Sequence, residues 1–281
     1  MKYKLIALDL DGTLKNSKNK ITPKTKKALI QAQELGMKIV LASGRPTPGL
    51  RHEAKELELE KYEGYILSFN GARVVDVKTG ETVYEQTLTL EEAKRAYERS
   101  KEYQLSCMTY KDNMIMTEDI DDKYVCIEGQ INDIEKKKVS SFIDCLEEPI
   151  HKVLLTGDPD YVGNIEAEFK APFGDTLSIY RSAPFFIEVM AQGIDKAASL
   201  DRLVKTLGIR QEEVIAFGDG YNDLSMIEYA GLGVAMDNAV DGVKERADMI
   251  TKSHDDDGIA YTLSQDVYKR QQLKLVKRLI Y

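Results

Sequence analysis

The chain has 281 residues, 43% hydrophobic and 31% charged, with a net charge of −8; this is a globular composition, long enough for one large domain or a core carrying an inserted one. The acidic balance argues against a nucleic-acid partner and an anionic membrane surface, both of which are held mainly by basic side chains, but it leaves room for a small phosphorylated ligand, because a metal ion and a few placed cations dominate a pocket. Cys107, Cys126 and Cys145 are odd in number and widely spaced, His52, His151 and His254 share no ligand spacing, and no apolar run approaches spanning length, so reduced thiols, ordinary histidines and a cytoplasmic location are expected.

The first element is a buried strand over residues 3–8, ending in Asp9-Leu10-Asp11-Gly12-Thr13. Residues i and i+2 of an extended segment face the same way, so Asp9 and Asp11 project together from the strand's end. Two carboxylates aimed at one spot repel unless a cation sits between them or one is protonated, and both conditions are useful for chemistry. Gly12 permits a tight turn, and Thr13 offers a hydroxyl and an amide to an anion. Residues 15–20 read as polar loop. Thr22-Pro23 supplies an N-cap and a first-turn proline for a helix that stops at Gly36.

A second strand over 37–42 ends in Ser43-Gly44-Arg45. The strand, helix, strand order implies a parallel pair, which brings Ser43 to the same sheet edge as Asp9. A helix over 46–59 and a third strand over 64–69 lead to the Asn70-Gly71 turn, and Lys78-Thr79-Gly80 closes a hairpin between 72–77 and 81–87. From about 89 to 184 the rhythm changes to an α+β pattern: a helix over 90–103, two short strands flanking Asp112-Asn113, a helix over 138–147 with Phe142 and Leu146 inward, a strand over 153–156, a helix opened by Asp158-Pro159 and a strand over 176–181. No strand-end carboxylate motif occurs there.

Residues 185–190 read as the strand that leads back, and Asp195 caps a helix reaching Leu207. Lys196 stands in its first turn, where a cation opposes the helix dipole and therefore needs a reason. A buried strand over 214–217 ends in Gly218-Asp219-Gly220-Tyr221-Asn222-Asp223. Asp219 and Asp223 suit a hard cation with oxygen ligands, and Asn222 can donate to a phosphoryl oxygen. The Asp255-Asp256-Asp257 run reads as a solvated turn. Residues 266–281 begin with Asp266-Val267-Tyr268-Lys269-Arg270-Gln271, which matches the translation of a transposon end used in sequencing-library adapters, so no function is placed beyond Gln265.

These four strand-end motifs, in this order, resemble those of the haloacid dehalogenase-like phosphohydrolases, and the length and place of the inserted segment resemble the Cof-type branch of that superfamily. The resemblance covers roughly residues 1–84 and 185–265. It implies an α/β fold with a Rossmann-like parallel-sheet core, residues 1–84 and 185–281, and an inserted α+β cap over 85–184. It further implies a Mg2+-dependent phosphatase acting on small phosphorylated metabolites of the sugar-phosphate type. Asp9 would be the nucleophile and Asp11 the general acid and base; the metal would take Asp9, Asp219, the backbone carbonyl of Asp11 and the support of Asp223. Ser43, Gly44, Lys196 and Asn222 would serve the phosphate, Arg45 would either help hold the substrate or fix the motif loop, and Asn70 would look out at the substrate. One departure stands out: Ala197 follows Lys196 where the family usually has glycine. A phosphosugar mutase of the same superfamily is the alternative; a receiver-like phospho-aspartate switch fits less well, since a switch needs neither a second carboxylate nor an inserted cap. Oligomeric state is left open.

Overall fold

The computed structural model describes residues 2–264; the sequence reading of 266–281 lies outside them. In chain order the strands are β1 (Leu5–Leu8), β2 (Lys38–Ala42), β3 (Tyr65–Ser68), β4 (Arg73–Asp76), β5 (Thr82–Glu85), β6 (Ser106–Lys111), β7 (Met114–Thr117), β8 (Lys136–Lys138), β9 (Val153–Thr156), β10 (Leu177–Ala183), β11 (Phe186–Ala191), β12 (Val214–Gly218), β13 (Leu232–Ala235) and β14 (Met249–Ile250). They form two sheets, ordered β14-β13-β12-β1-β2-β3-β4-β5 and β10-β11-β9-β6-β7-β8. The chain divides into two compact units, one built from residues up to Gly44, Leu50–Tyr84 and the stretch from Asp195, the other from Arg45–Gly49 and Glu85–Ile194.

In the first unit β1 is central, parallel to β2 on one side and to β12 on the other, with Leu8 level with both Leu41 and Phe217. That register brings the residues after these three strands to one sheet edge. The reason lies in the side chains: Leu5, Ile6, Ala7 and Leu8 are all fully buried, as a parallel strand covered on both faces requires. Ile6, Leu8, Ile39, Leu41, Ile215 and Phe217 pack on one face with Leu29 and Ala32 of the helix Pro23–Glu34. Leu5, Ala7, Val40 and Ala216 pack on the other with Leu200, Leu203 and Val204 of the helix Lys196–Thr206. Thr22 accepts from the Thr25 amide as N-cap, and Pro23 opens the helix as the sequence suggests.

The second unit is a largely antiparallel sheet with its own core, in which Phe142, Phe169, Ile187 and Val189 are fully buried. Its extent differs from the sequence boundary at residue 185. β11 pairs with β9 and β10, not with the first sheet, because Ile187 and Val189 belong to the second core. The expected single helix over 46–59 is broken: a 3-10 turn Thr47–Leu50 precedes the helices Arg51–Glu56 and Leu59–Tyr62, which are separated by Glu58 at φ +54°. The expected helix over 138–147 is reduced to a 3-10 turn Ile143–Cys145, although Phe142 does point inward. A helix not anticipated, Lys123–Asn132, is capped by Asp122. Among the described residues no helix is long and apolar enough to cross a membrane.

Candidate active site

Asp9 leaves β1 with its amide bonded to the Phe217 carbonyl (3.0 Å), so it is still registered on β12 as the chain begins to turn. The turn closes through Leu14 N on the Asp9 carbonyl (3.2 Å) and Lys15 N on the Leu10 carbonyl (3.0 Å). Gly12 sits at φ +84°, and a Cβ there would run into the Asp219 carboxylate; only glycine fits, on both counts. Thr13 does not hold its hydroxyl open for an anion, as the sequence suggested: it donates to Asp219 Oδ1 (2.7 Å). The first and fourth motifs are therefore locked together by a side chain.

Lys196 resolves the dipole puzzle of its position. It is 1% exposed and spends its ammonium on three acceptors, Asp9 Oδ1 (2.8 Å), the Ala42 carbonyl (2.9 Å) and Asp223 Oδ1 (2.6 Å). A buried charge survives only when paired and hydrogen-bonded, and here both conditions are met. Burial alone would depress its pKa; Asp223 and then Asp9 outweigh that and hold it above the ordinary lysine value. The other oxygen of Asp223 accepts from the amides of Asp219 and Gly220 (both 3.0 Å), so this carboxylate is fixed at both ends.

The cluster as a whole is short of positive charge. Asp9, Asp219 and Asp223 each offer an oxygen within 4.8 Å of the others, against the single ammonium of Lys196. Burial, with the charges of Asp223 and Asp219 added, pushes the Asp9 carboxyl well above its usual range in spite of Lys196. Asp219 is also raised, by burial first and by Asp223, with the Thr13 hydroxyl opposing. The raised Asp9 and Asp219 carboxyls, converging with the buried carboxylate of Asp223, make a donor set that a hard divalent cation fits, since it supplies the missing charge and prefers oxygen ligands. Asp11 is exposed and lies outside this trio, so its expected share in a metal shell would come through its backbone.

Ser43, Gly44, Asn70 and Asn222 lie around that edge. Ser43 is buried, with its amide on the Leu67 carbonyl and its carbonyl accepting from Asn70 N, both at 2.9 Å. Gly44 lies against the Asn70 carboxamide. Asn222 is exposed and donates through Nδ2 to Asn70 Oδ1 (3.1 Å). Arg45 belongs to the second unit, where its guanidinium donates to the Ile131 carbonyl (2.6 Å). The acidic run is occupied in joining loops: Ser17 donates to Asp255 (2.7 Å) and Thr22 to Asp257.

Two features escaped the sequence reading. Asn238 donates to the Gly12 carbonyl (2.8 Å) and accepts from His254 N (2.9 Å), bracing the motif turn from behind; a lone Asn after β13 carries no signal of this. Lys15, expected in a polar loop, is buried and paired with buried Glu53 at 3.0 Å. Its ladder partner is Asp11, so the ion pair lies directly behind the turn.

Residues 6–263 match the haloacid dehalogenase-like hydrolase family. The chain is 33% identical to the 5-amino-6-(5-phospho-D-ribitylamino)uracil phosphatase YcsE of Bacillus subtilis (strain 168), over 92% of this chain and 93% of that one. A haloacid dehalogenase-like hydrolase from Bacteroides thetaiotaomicron superposes with a TM-score of 0.90 at 43% identity, covering 94% of this chain and 99% of the other. The HAD subclass IIB sugar phosphatase BT4131 superposes with a TM-score of 0.76 at 28% identity, over 93% and 98%.

Proposed function

This chain belongs to the haloacid dehalogenase-like hydrolases, and from that premise we propose that it is a Mg2+-dependent phosphatase that hydrolyses small phosphorylated metabolites of the sugar-phosphate type in the cytoplasm. The observation that carries the reading is the buried Asp9 carboxylate, fixed at 2.8 Å from Lys196 inside a net-negative trio of carboxylates. The named substrates of the relatives, a phosphoribityl compound and sugar phosphates, support the substrate class.

Asp9, Asp219 and Asp223, with the Asp11 backbone carbonyl, would hold Mg2+. Bound there, the ion neutralises part of the phosphoryl charge that otherwise repels a carboxylate nucleophile. An Asp9 oxygen attacks phosphorus, forming an aspartyl phosphate as the bond to the leaving oxygen breaks. Asp11, exposed beside it, gives its proton to that oxygen, then takes one from the water that releases phosphate. Lys196 orients Asp9 and shares the developing negative charge, with Ser43, Gly44 and Asn222 as phosphate donors. Arg45, directly after Ser43-Gly44, would help hold the substrate or fix the loop after β2.

The test uses the full chain with Mg2+ and a panel of sugar phosphates, followed by mass spectrometry of acid-quenched protein. Phosphate on the peptide carrying Asp9, with turnover abolished in Asp9→Asn, is the expected result. Undiminished turnover in Asp9→Asn would overturn the assignment, and stable phosphorylation of the wild type without turnover would favour the switch.

A further inference from the structure

The turn after β3 runs through positive φ at three consecutive residues. Phe69 and Asn70 lie at φ +52° and +53°, and Gly71 follows at φ +105°. Glycine adopts such angles freely and asparagine tolerates them, but a phenylalanine there is an outlier. Strain of this kind persists only where the surroundings over-determine it. Those surroundings are visible on every side. Phe69 is buried. A Cβ on Gly71 would come within 2.6 Å of the Asp195 carbonyl and 2.8 Å of Ser199 Oγ, and the Ser199 hydroxyl donates to the Gly71 carbonyl at 2.7 Å. The strained turn is thus clamped onto the start of the helix that carries Lys196.

The left-handed run turns the Asn70 carboxamide back toward the sheet edge. There its backbone amide holds the Ser43 carbonyl (2.9 Å), its Oδ1 accepts from Asn222 (3.1 Å), and its amide lies where a Cβ on Gly44 would be 3.1 Å away. Building on the phosphatase reading above, we propose that Asn70 is a positioning residue that acts through Asn222 and the Ser43-Gly44 backbone, rather than a residue that touches substrate itself. The loops after β2 and β12 are both phosphate donors in that reading, and they approach the phosphoryl group from different strands. A carboxamide between them sets their separation, and the packing of Asp195 and Ser199 on Gly71 holds the turn that carries it.

Asn70→Gly is the informative variant, because glycine keeps the left-handed backbone and removes only the carboxamide. Steady-state hydrolysis of 4-nitrophenyl phosphate with Mg2+ is compared for wild type, Asn70→Gly, Asn222→Ala and the double variant. Each single change should lower kcat/KM by about tenfold or more, with the double no worse than the poorer single, as residues that act as one unit behave. The melting temperature of Asn70→Gly should not fall. Losses that multiply would mean that Asn70 contacts substrate independently, and wild-type kcat/KM in Asn70→Gly would reduce it to a turn residue; either overturns the proposal. A second readout does not depend on turnover: in NMR spectra of the isotope-labelled full chain, Asn70→Gly should shift the side-chain amide pair of Asn222 and the backbone amide of Gly44. If the wild type hydrolyses no phosphoester, the phosphatase reading falls and these resonances decide the positioning role; unmoved resonances refute it.

Discussion

Replacing Lys196 by methionine keeps an unbranched side chain of similar length and deletes only the ammonium. Three acceptors lose their donor at once: the buried carboxylates of Asp9 and Asp223 and the carbonyl of Ala42. Removing one partner of a buried ion pair costs about 3–5 kcal/mol, because the other charge is left buried and unpaired. Asp9 can relieve part of this by protonating, since burial and Asp223 already raise its pKa with Lys196 present, so a net loss near ~3 kcal/mol is expected at pH 7. At roughly 2–4 °C per kcal/mol for a unit of this size, the melting temperature falls by about 6–12 °C. The deficit has a definite pH dependence. Without the ammonium the Asp9 pKa rises further above its unfolded value; such a group contributes stability below the unfolded pKa and loses it as pH rises through the folded one. The variant should therefore be worst near neutrality and recover toward pH 4. Thermal unfolding in chelator between pH 4 and 8, followed by circular dichroism, measures this. Turnover at pH 7 should drop by about 10²–10³ or more, the usual cost of one preorganised electrostatic group. A melting temperature within about 2 °C of wild type at pH 7, by the same scale, or a deficit that does not shrink on acidification, would refute the reasoning.

Three further outcomes follow from other contacts. In the metal-free wild type, stability held by protonated Asp9 is lost as pH rises through its raised pKa, so the rise in melting temperature on adding Mg2+ should grow with pH; a pH-independent rise, or none, would count against the carboxylate trio as the binding site. Glu213, held by the Arg210 amide and then by Lys4 and Arg210, has its pKa lowered from 4.5 to about 2; the melting temperature of Glu213→Gln should lie below wild type above pH 4.5 and converge on it as pH falls to about 2, and a constant gap would contradict this. Lys15→Met or Glu53→Leu alone breaks a buried pair and should cost about 3–5 kcal/mol, whereas the double variant should recover most of it; additive losses in urea unfolding would show that the two charges are not coupled.

What could be read from the sequence was whatever the strand pattern enforces. Apolar runs ending in Asp9, Ser43 and Gly218 locate the site because parallel strands in this register must deliver their C-terminal residues to one edge. Lys196 was legible for the opposite reason, as a cation in an unfavourable place. The misreadings share a different physics. Glu58 at φ +54° breaks a segment whose composition favours one continuous helix, and propensity has no term for a left-handed residue imposed by packing. β11 has the apolar character of a core strand, and nothing in six residues tells which of two cores it completes. Lys15 looked like loop because its partner Glu53 is remote in sequence, and Asn238 braces the Gly12 turn by a single hydrogen bond that any polar residue could imitate on paper.

The position of β1 at the centre of its sheet has a consequence for synthesis on the ribosome. One edge of β1 is covered early by β2, but the other waits for β12, whose Phe217 is the register partner of Leu8. At about 5–20 residues per second, roughly 200 residues of translation leave that edge open for ~10–40 s. β1 is apolar on both faces, so for this interval the nascent chain presents the kind of unpaired strand that recruits other strands. The second unit has its own core and a nearly contiguous stretch of chain, so it can fold while the first is still incomplete. Lys196 and Asp223 emerge only at the end of the wait, which means that Asp9 acquires its counter-charge and β1 its missing neighbour almost together. A chain released before Val214 would carry the whole first motif and yet display an adhesive sheet edge in place of an active site.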